Sequence, residues 1–143
     1  MVGPVPGPAA ASILSRKIRT MSAAHVHFFF SMREQIKLYH WQTKSYAEHQ
    51  ALGGLYGDLD GQIDEFVETF SGRYGVPVAK NDYKLTLVNY KDNAGVVQIL
   101  DAAIAYMMKD VPAMLKPEDT DLLNIRDEMV GAMNKTKYLL RLK

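Results

Sequence analysis

Apolar residues recur along most of this chain at steps of three and four, a period that predicts four helices. In the first, Phe29, Met32, Ile36 and Tyr39 share a face, so a helix is expected from about residue 23 to 43, with Ser22 in the N-cap position. The second carries Leu52, Tyr56, Leu59, Ile63, Phe66 and Phe70 on one stripe, from about 45 to 73, and Gly72, Gly75 and Pro77 end it. The third, about 94 to 111, shows Val97, Leu100, Ile104, Met107 and Val111; Asp92 or Asn93 caps it and Pro112 ends or kinks it. The fourth, about 119 to 142, carries Leu122, Ile125, Met129, Met133, Thr136 and Leu140. Between the second and third helices lies a long connection, residues 75–93. Its alternating Tyr83, Leu85, Leu87 and Tyr90 suggest a short strand or short helix packed across the bundle. A long link there and short ones elsewhere is the signature of a crossover bundle; a simple up-down bundle would turn back with a short loop.

The second helix has two further features. Gly53, Gly57 and Gly61 interrupt it, each costing roughly 1 kcal/mol relative to alanine, so a neighbouring helix is expected to approach that face closely. Asp60, Asp64 and Glu68 form a row at steps of four beside the glycines, and His49 extends the apolar stripe backwards. His40 ends the stripe of the first helix one short turn earlier. A lone histidine there would be a core residue; a pair of histidines beside a carboxylate row is a candidate metal-ligand set, His40, His49, Asp64 and Glu68. Length decides how such a set could work. Fifteen residues separate His49 from Asp64, so along one helix they lie about 22 Å apart. One ion cannot be held by both within one chain. An antiparallel second copy related by a two-fold axis would set His49 of each protomer opposite Asp64 and Glu68 of the other.

Composition narrows the chemistry. With 143 residues the chain is one domain with room for its own core. No cysteine is present, so disulfides and thiolate metal sites are excluded and only nitrogen and oxygen donors remain. No run approaches the ~18 apolar residues of a membrane span, and no membrane partner is expected. The net charge of +1 hides a division. Arg16, Lys17 and Arg19 near the start, and Lys135, Lys137, Arg141 and Lys143 near the end, stand among no acids, leaving ten bases against sixteen acids in the middle. An acidic body with basic ends can draw cations inward and polyanions to its surface. Residues 1–22 read as a disordered basic arm, proline- and glycine-rich up to residue 11, ahead of a domain at 23–143. The same acid-free, serine-containing segment also fits an organellar transit peptide, and no secretory apolar region follows it. His25 and His27 have no companions in sequence and read as structural or exposed.

His40-Trp41, then His49, then Asp64 and Glu68 resemble the pattern of the Dps mini-ferritins, members of the ferritin-like superfamily. The likeness spans roughly residues 24 to 142, with its specific signal in 40–75. It implies an all-α, ferritin-like four-helix bundle with a long crossover between the second and third helices. It also implies an iron site shared across a dimer two-fold, at which Fe(II) is oxidised, typically by hydrogen peroxide, and stored as ferric mineral. In that reading the metal ligands are His40, His49, Asp64 and Glu68, with Trp41 beside them. The cofactor is iron, with other divalent metals as alternatives. The partners are a homo-oligomer of two-fold dimers, usually a twelve-subunit shell, and DNA bound without sequence preference through Arg16, Lys17 and Arg19. The compartment implied is cytoplasmic or nucleoid-associated. The chain departs from the pattern at Gly53, where the family usually has a further acidic ligand, and at Thr69, where it usually has arginine; its His40–His49 link is also shorter. A catalytically silent ferritin-like protein, structural or DNA-associated, is the second reading, and a simple dimer with a zinc site the third. The third and fourth helices lack the Glu-x2-His pair of classical ferritins, which favours an interfacial over an intra-bundle centre.

Overall fold

Four helices carry the chain in the computed structural model, which describes residues 20–142. They are α1 (Ala23–Gln42), α2 (Tyr46–Arg73), α3 (Asn93–Ala113) and α4 (Thr120–Leu139). The basic positions Arg16, Lys17 and Arg19 lie outside the described residues.

The helix ends follow from local chemistry. Asp92 caps α3 by accepting the Ala94 N–H at 2.9 Å, and Ser45 caps α2 by accepting the Glu48 N–H at 3.2 Å. Ser22 occupies the N-cap position of α1, but its side chain makes no capping bond. Pro112 lies within the last turn of α3 and Met114 follows as its C-cap. No helix among the described residues is long and apolar enough to cross a membrane.

The stripes expected from spacing are the ones that pack. Phe29, Met32, Ile36 and Tyr39 of α1 are buried with Leu52, Leu59, Ile63, Phe66 and Phe70 of α2. Leu100, Met107 and Val111 of α3 meet Leu122, Ile125, Met129 and Met133 of α4 in the same core. Three positions shift by one: Leu55 rather than Tyr56, Val96 rather than Val97, and Ala103 rather than Ile104 take the buried place. The extensive packings are α1 with α2, α2 with α4, α4 with α3 and α3 with α1. Helices α2 and α3, consecutive in the chain, therefore stand across the bundle from one another.

The link between α2 and α3 forms no strand or helix, contrary to the expectation for residues 83–90. Side chains of α1 hold its backbone at Lys80 and Val88. Met21 pairs with it through one parallel bridge to Pro77, with Met21 N–H to Val76 O at 3.2 Å and Val78 N–H to Met21 O at 3.1 Å. Further along, the Gln35 amide grips Val88 at both backbone groups, at 2.8 and 2.9 Å. Gln42 then donates to Asn89 at 2.7 Å. The segment thus follows α1 from its first turn to its last. Asn93 next donates to Glu48 at 2.7 Å and to the Leu140 carbonyl at 3.1 Å, so α3 begins beside the start of α2 and the end of α4.

At the opposite end of the bundle Asp119 is only 1% exposed. It accepts from the Tyr74 hydroxyl and from the Lys116 N–H, and it faces Arg73 at 3.2 Å. That carboxylate ties the end of α2 to the start of α4.

Candidate metal centre at the turn between α1 and α2

His40 lies in the last turn of α1 and His49 in the first turn of α2, and the short 43–45 link folds them together. Their rings stack 3.9 Å apart, 13° from parallel. Each is held by the backbone of the other: His40 Nδ1 lies 2.7 Å from the His49 carbonyl, and His49 Nδ1 lies 2.8 Å from the His40 carbonyl. A carbonyl can only accept, so each Nδ1 carries the proton and donates. With Nδ1 so engaged, a neutral ring at either position presents its Nε2 lone pair, the form in which imidazole binds a metal. Burial pushes the His40 pKa down, and the nearby charges of His49 and Lys37 act in the same sense against its bond to the His49 carbonyl. Both histidines are half-buried at the edge of the core, so His49 does not point into it as its place in the apolar stripe suggests.

Gly53 explains how this pair fits. A Cβ at that position would come 2.8 Å from Cε1 of His40, with Nδ1 at 3.4 Å and Nε2 at 3.6 Å. The His40 ring fills the space where a side chain at 53 would stand. The close neighbour that a glycine implies is here an imidazole from α1.

The other glycines are different. Cβ atoms added at Gly54, Gly57 or Gly61 would meet nothing within 4 Å, and all three are exposed. Among the described residues, no other helix comes within 4 Å of those positions. With Gln50, Asp64 and Glu68 they form one stripe, 50, 54, 57, 61, 64 and 68, at alternating steps of four and three opposite the buried face.

Asp64 and Glu68 are exposed and have no hydrogen bond or ion pair among the described residues. Asp60, in the same row, is held by Arg33 at 2.9 Å. Asp64 opens into a cleft of about 130 Å³ between α1 and α2, beside Phe30, Arg33 and Pro77. Two of the four candidate ligands thus come together and two stand well away along α2. Among the described residues, no three His, Asp or Glu side chains of one chain converge where an ion could be held.

Large side chains crowd the surface around this stripe. Trp41 is 67% exposed and Tyr46 74%, with Phe30 further down α1. Lys37 lies 4.3 Å from the Tyr56 ring centre and 5.6 Å from that of Trp41. This exposed aromatic flank stands beside the glycine positions of the stripe.

The sequence alone places Glu48 with Asp58, Asp60 and Glu65 on a solvated or metal-attracting face, and it offers no reading of Gln35; the structure gives both a structural role. Glu48 accepts from Tyr39 at 3.2 Å, Thr43 at 2.7 Å and Asn93 at 2.7 Å, drawing three elements together. Its local signal was the Ser45-x-x-Glu48 spacing of a capping box. Gln35 had no local signal, because its partner Val88 lies 53 residues away.

Fold and site together define a small all-α protein with a stacked histidine pair beside an exposed, glycine-lined helix face. The chain belongs to the family described as a family of unknown function, DUF5856, whose pattern matches residues 40–140 and so includes His40, His49, Asp64 and Glu68. It is also similar to an uncharacterised 14.6 kDa protein of the mobD–ri intergenic region of Enterobacteria phage T4. The two are 30% identical over 107 residues, covering 73% of this chain and 75% of that protein. No solved structure matches.

Proposed function

We propose that this protein is a Dps-like, ferritin-like iron-binding protein that oxidises Fe(II) and stores ferric iron at sites shared across a dimer two-fold. The observation that carries the reading is the reciprocal His40–His49 pair, which engages both Nδ1 atoms and leaves both Nε2 atoms for a metal beside an exposed helix face. Iron is the substrate. His40 and His49 of one protomer would take it, and Asp64 and Glu68 of the other would complete a mixed nitrogen–oxygen set.

The register of such a dimer is constrained by the glycines. Gly54 and Gly61 are evenly placed about position 57, as are His49 and the Asp64–Glu68 pair. An antiparallel mate crossing at Gly57 would meet backbone there, and each His49 would lie against the partner's carboxylates. Trp41 and Tyr46 would be covered by the same contact. The path of the 74–92 segment along α1, with α2 and α3 starting at one end, supports the ferritin-like crossover. Assembly into a closed shell and contact of Arg16, Lys17 and Arg19 with DNA phosphates belong to the same proposal.

One observation favours a catalytically silent alternative. The position where the resemblance places a further acidic ligand is Gly53, and its side-chain space belongs to His40. A site short of one carboxylate would bind metal without turning it over.

Anaerobic titration of the purified chain with Fe(II), followed by peroxide, separates these readings. Saturable binding and ferric absorbance, both lost in the His49→Ala, Glu68→Ala double variant, support the ferroxidase. Binding without oxidation supports the silent alternative. No binding above the double variant removes the metal site altogether.

A further inference from the structure

His27 stands apart from the paired-histidine site and holds a different part of the molecule. It is 9% exposed on α1 and stacks on Tyr83 of the α2–α3 connection, with ring centres 3.6 Å apart and planes 13° from parallel. Its Nε2 accepts the backbone N–H of Lys80 at 3.2 Å. An imidazole can accept at Nε2 only while that nitrogen is unprotonated. The other anchors of the connection do not titrate: the Met21 pairing upstream is backbone to backbone, and the Gln35 clamp on Val88 downstream is an amide.

The stretch between those two fixed points lines two neighbouring spaces. On one side is a cleft of about 520 Å³ at the first turns of α1, lined by Ala23, His27, Lys80 and Tyr83 among others. On the other is a largely apolar cavity of about 240 Å³ between α1 and α3, floored by Met32, Ile99 and Ala103. Phe28 and Ser31 border both.

We propose that residues 79–86 are an acid-released strap: neutral His27 holds them down, and protonated His27 lets them lift and joins the two spaces into one groove along α1. The charged ring would turn an N–H toward the Lys80 N–H, two donors face to face, so the bond that seats the strap is lost. The Tyr83 ring is part of the strap, so its stacking on His27 holds the strap in either state, and release requires this contact to part together with the Lys80 bond. The titratable groups around the ring reinforce the release. Lys80 lines the same cleft and disfavours a second positive charge, while Asp82 and Lys84 flank Tyr83 with opposite signs. His25, on the same helix, is engaged with Tyr106 of α3 at 2.5 Å.

The test is amide hydrogen exchange by NMR on the full chain, expressed as protection factors, at about pH 7.5 and about pH 5.5. A His27→Gln variant, which keeps an acceptor and removes the titration, is measured alongside. Protection of the Lys80 and Tyr83 amides is expected to fall at least about tenfold on acidification while Val78 and Val88 hold theirs, and the variant is expected to show no such fall. Unchanged Lys80 protection in the wild type overturns the strap, as does an equal loss in His27→Gln. A uniform fall across all four amides also overturns it, since that reports global loosening. The wild-type profile alone is decisive should the variant fold poorly.

Discussion

A single imidazole sets the identity of residue 53. Ala at that position gains about 1 kcal/mol of helix propensity but drives a methyl into a ring that is stacked and hydrogen-bonded in place. Overpacking of this kind costs about 1–3 kcal/mol, so Gly53→Ala should be neutral to about 2 kcal/mol destabilising, measured by urea unfolding. Gly57→Ala, with open space at its Cβ, should raise the stability of an isolated chain by up to about 1 kcal/mol. Equal gains at the two positions would show that His40 is not pinned. Its protonation gives a second handle on the same ring. Burial lowers the folded pKa of His40, so the unfolded chain takes up the proton first as pH falls. The stability it contributes is complete above the unfolded value of about 6.5 and declines as pH drops through that value toward the folded one. The urea midpoint should therefore fall between about pH 7.5 and 5.5, and fall less in a His40→Gln variant. A rise over that window, or the same fall in the variant, would contradict the assignment of the ring as a buried neutral donor. None of this could be read from residue 53 alone, because the ring that fills its space arrives from another helix.

The elements themselves were largely legible. Steps of three and four marked all four helices and most of their buried faces, since an amphipathic stripe is a local property of the chain. The separation of His49 from Asp64 was legible too, because helix rise is fixed. The course of the 74–92 segment was not. Its apolar alternation resembled a strand, yet its partners are Gln35, Gln42 and His27, polar residues scattered along α1 that reveal nothing until the helices pack. The glycine stripe was half legible: the spacing announced a close neighbour, and among the described residues one stands at Gly53 and none at Gly54, Gly57 or Gly61. At the far end of the bundle, Asp119 joins two elements through bonds with the Tyr74 hydroxyl and the Lys116 N–H. Hydrogen bonds to a charged acceptor are worth about 1.5–3 kcal/mol each, so Asp119→Ala should cost about 2–4 kcal/mol in chemical unfolding. A loss below about 1 kcal/mol would mean that α2 and α4 are joined by their apolar faces alone.

At the scale of the whole molecule, the proposed centre makes a demand that a site within one chain would not. If His40 and His49 of one protomer work with Asp64 and Glu68 of its mate, no protomer owns a complete site. A His49→Ala chain and a Glu68→Ala chain should each be inactive alone. Mixed by unfolding and refolding together, they form heterodimers in which one interface site carries both lesions and the other carries none. Random association makes half the dimers mixed, and half the sites in those intact, so about a quarter of wild-type iron oxidation should return. A site built within one chain could not recover in this way, because every chain in the mixture still carries a lesion. Recovery depends on the glycine face as well. Gly57→Leu, which places a bulky side chain at the crossing point, should abolish the recovery and shift the light-scattering mass toward the monomer while leaving α2 helical by circular dichroism. Recovery that survived Gly57→Leu would move the dimer contact to another surface, and the four ligands with it.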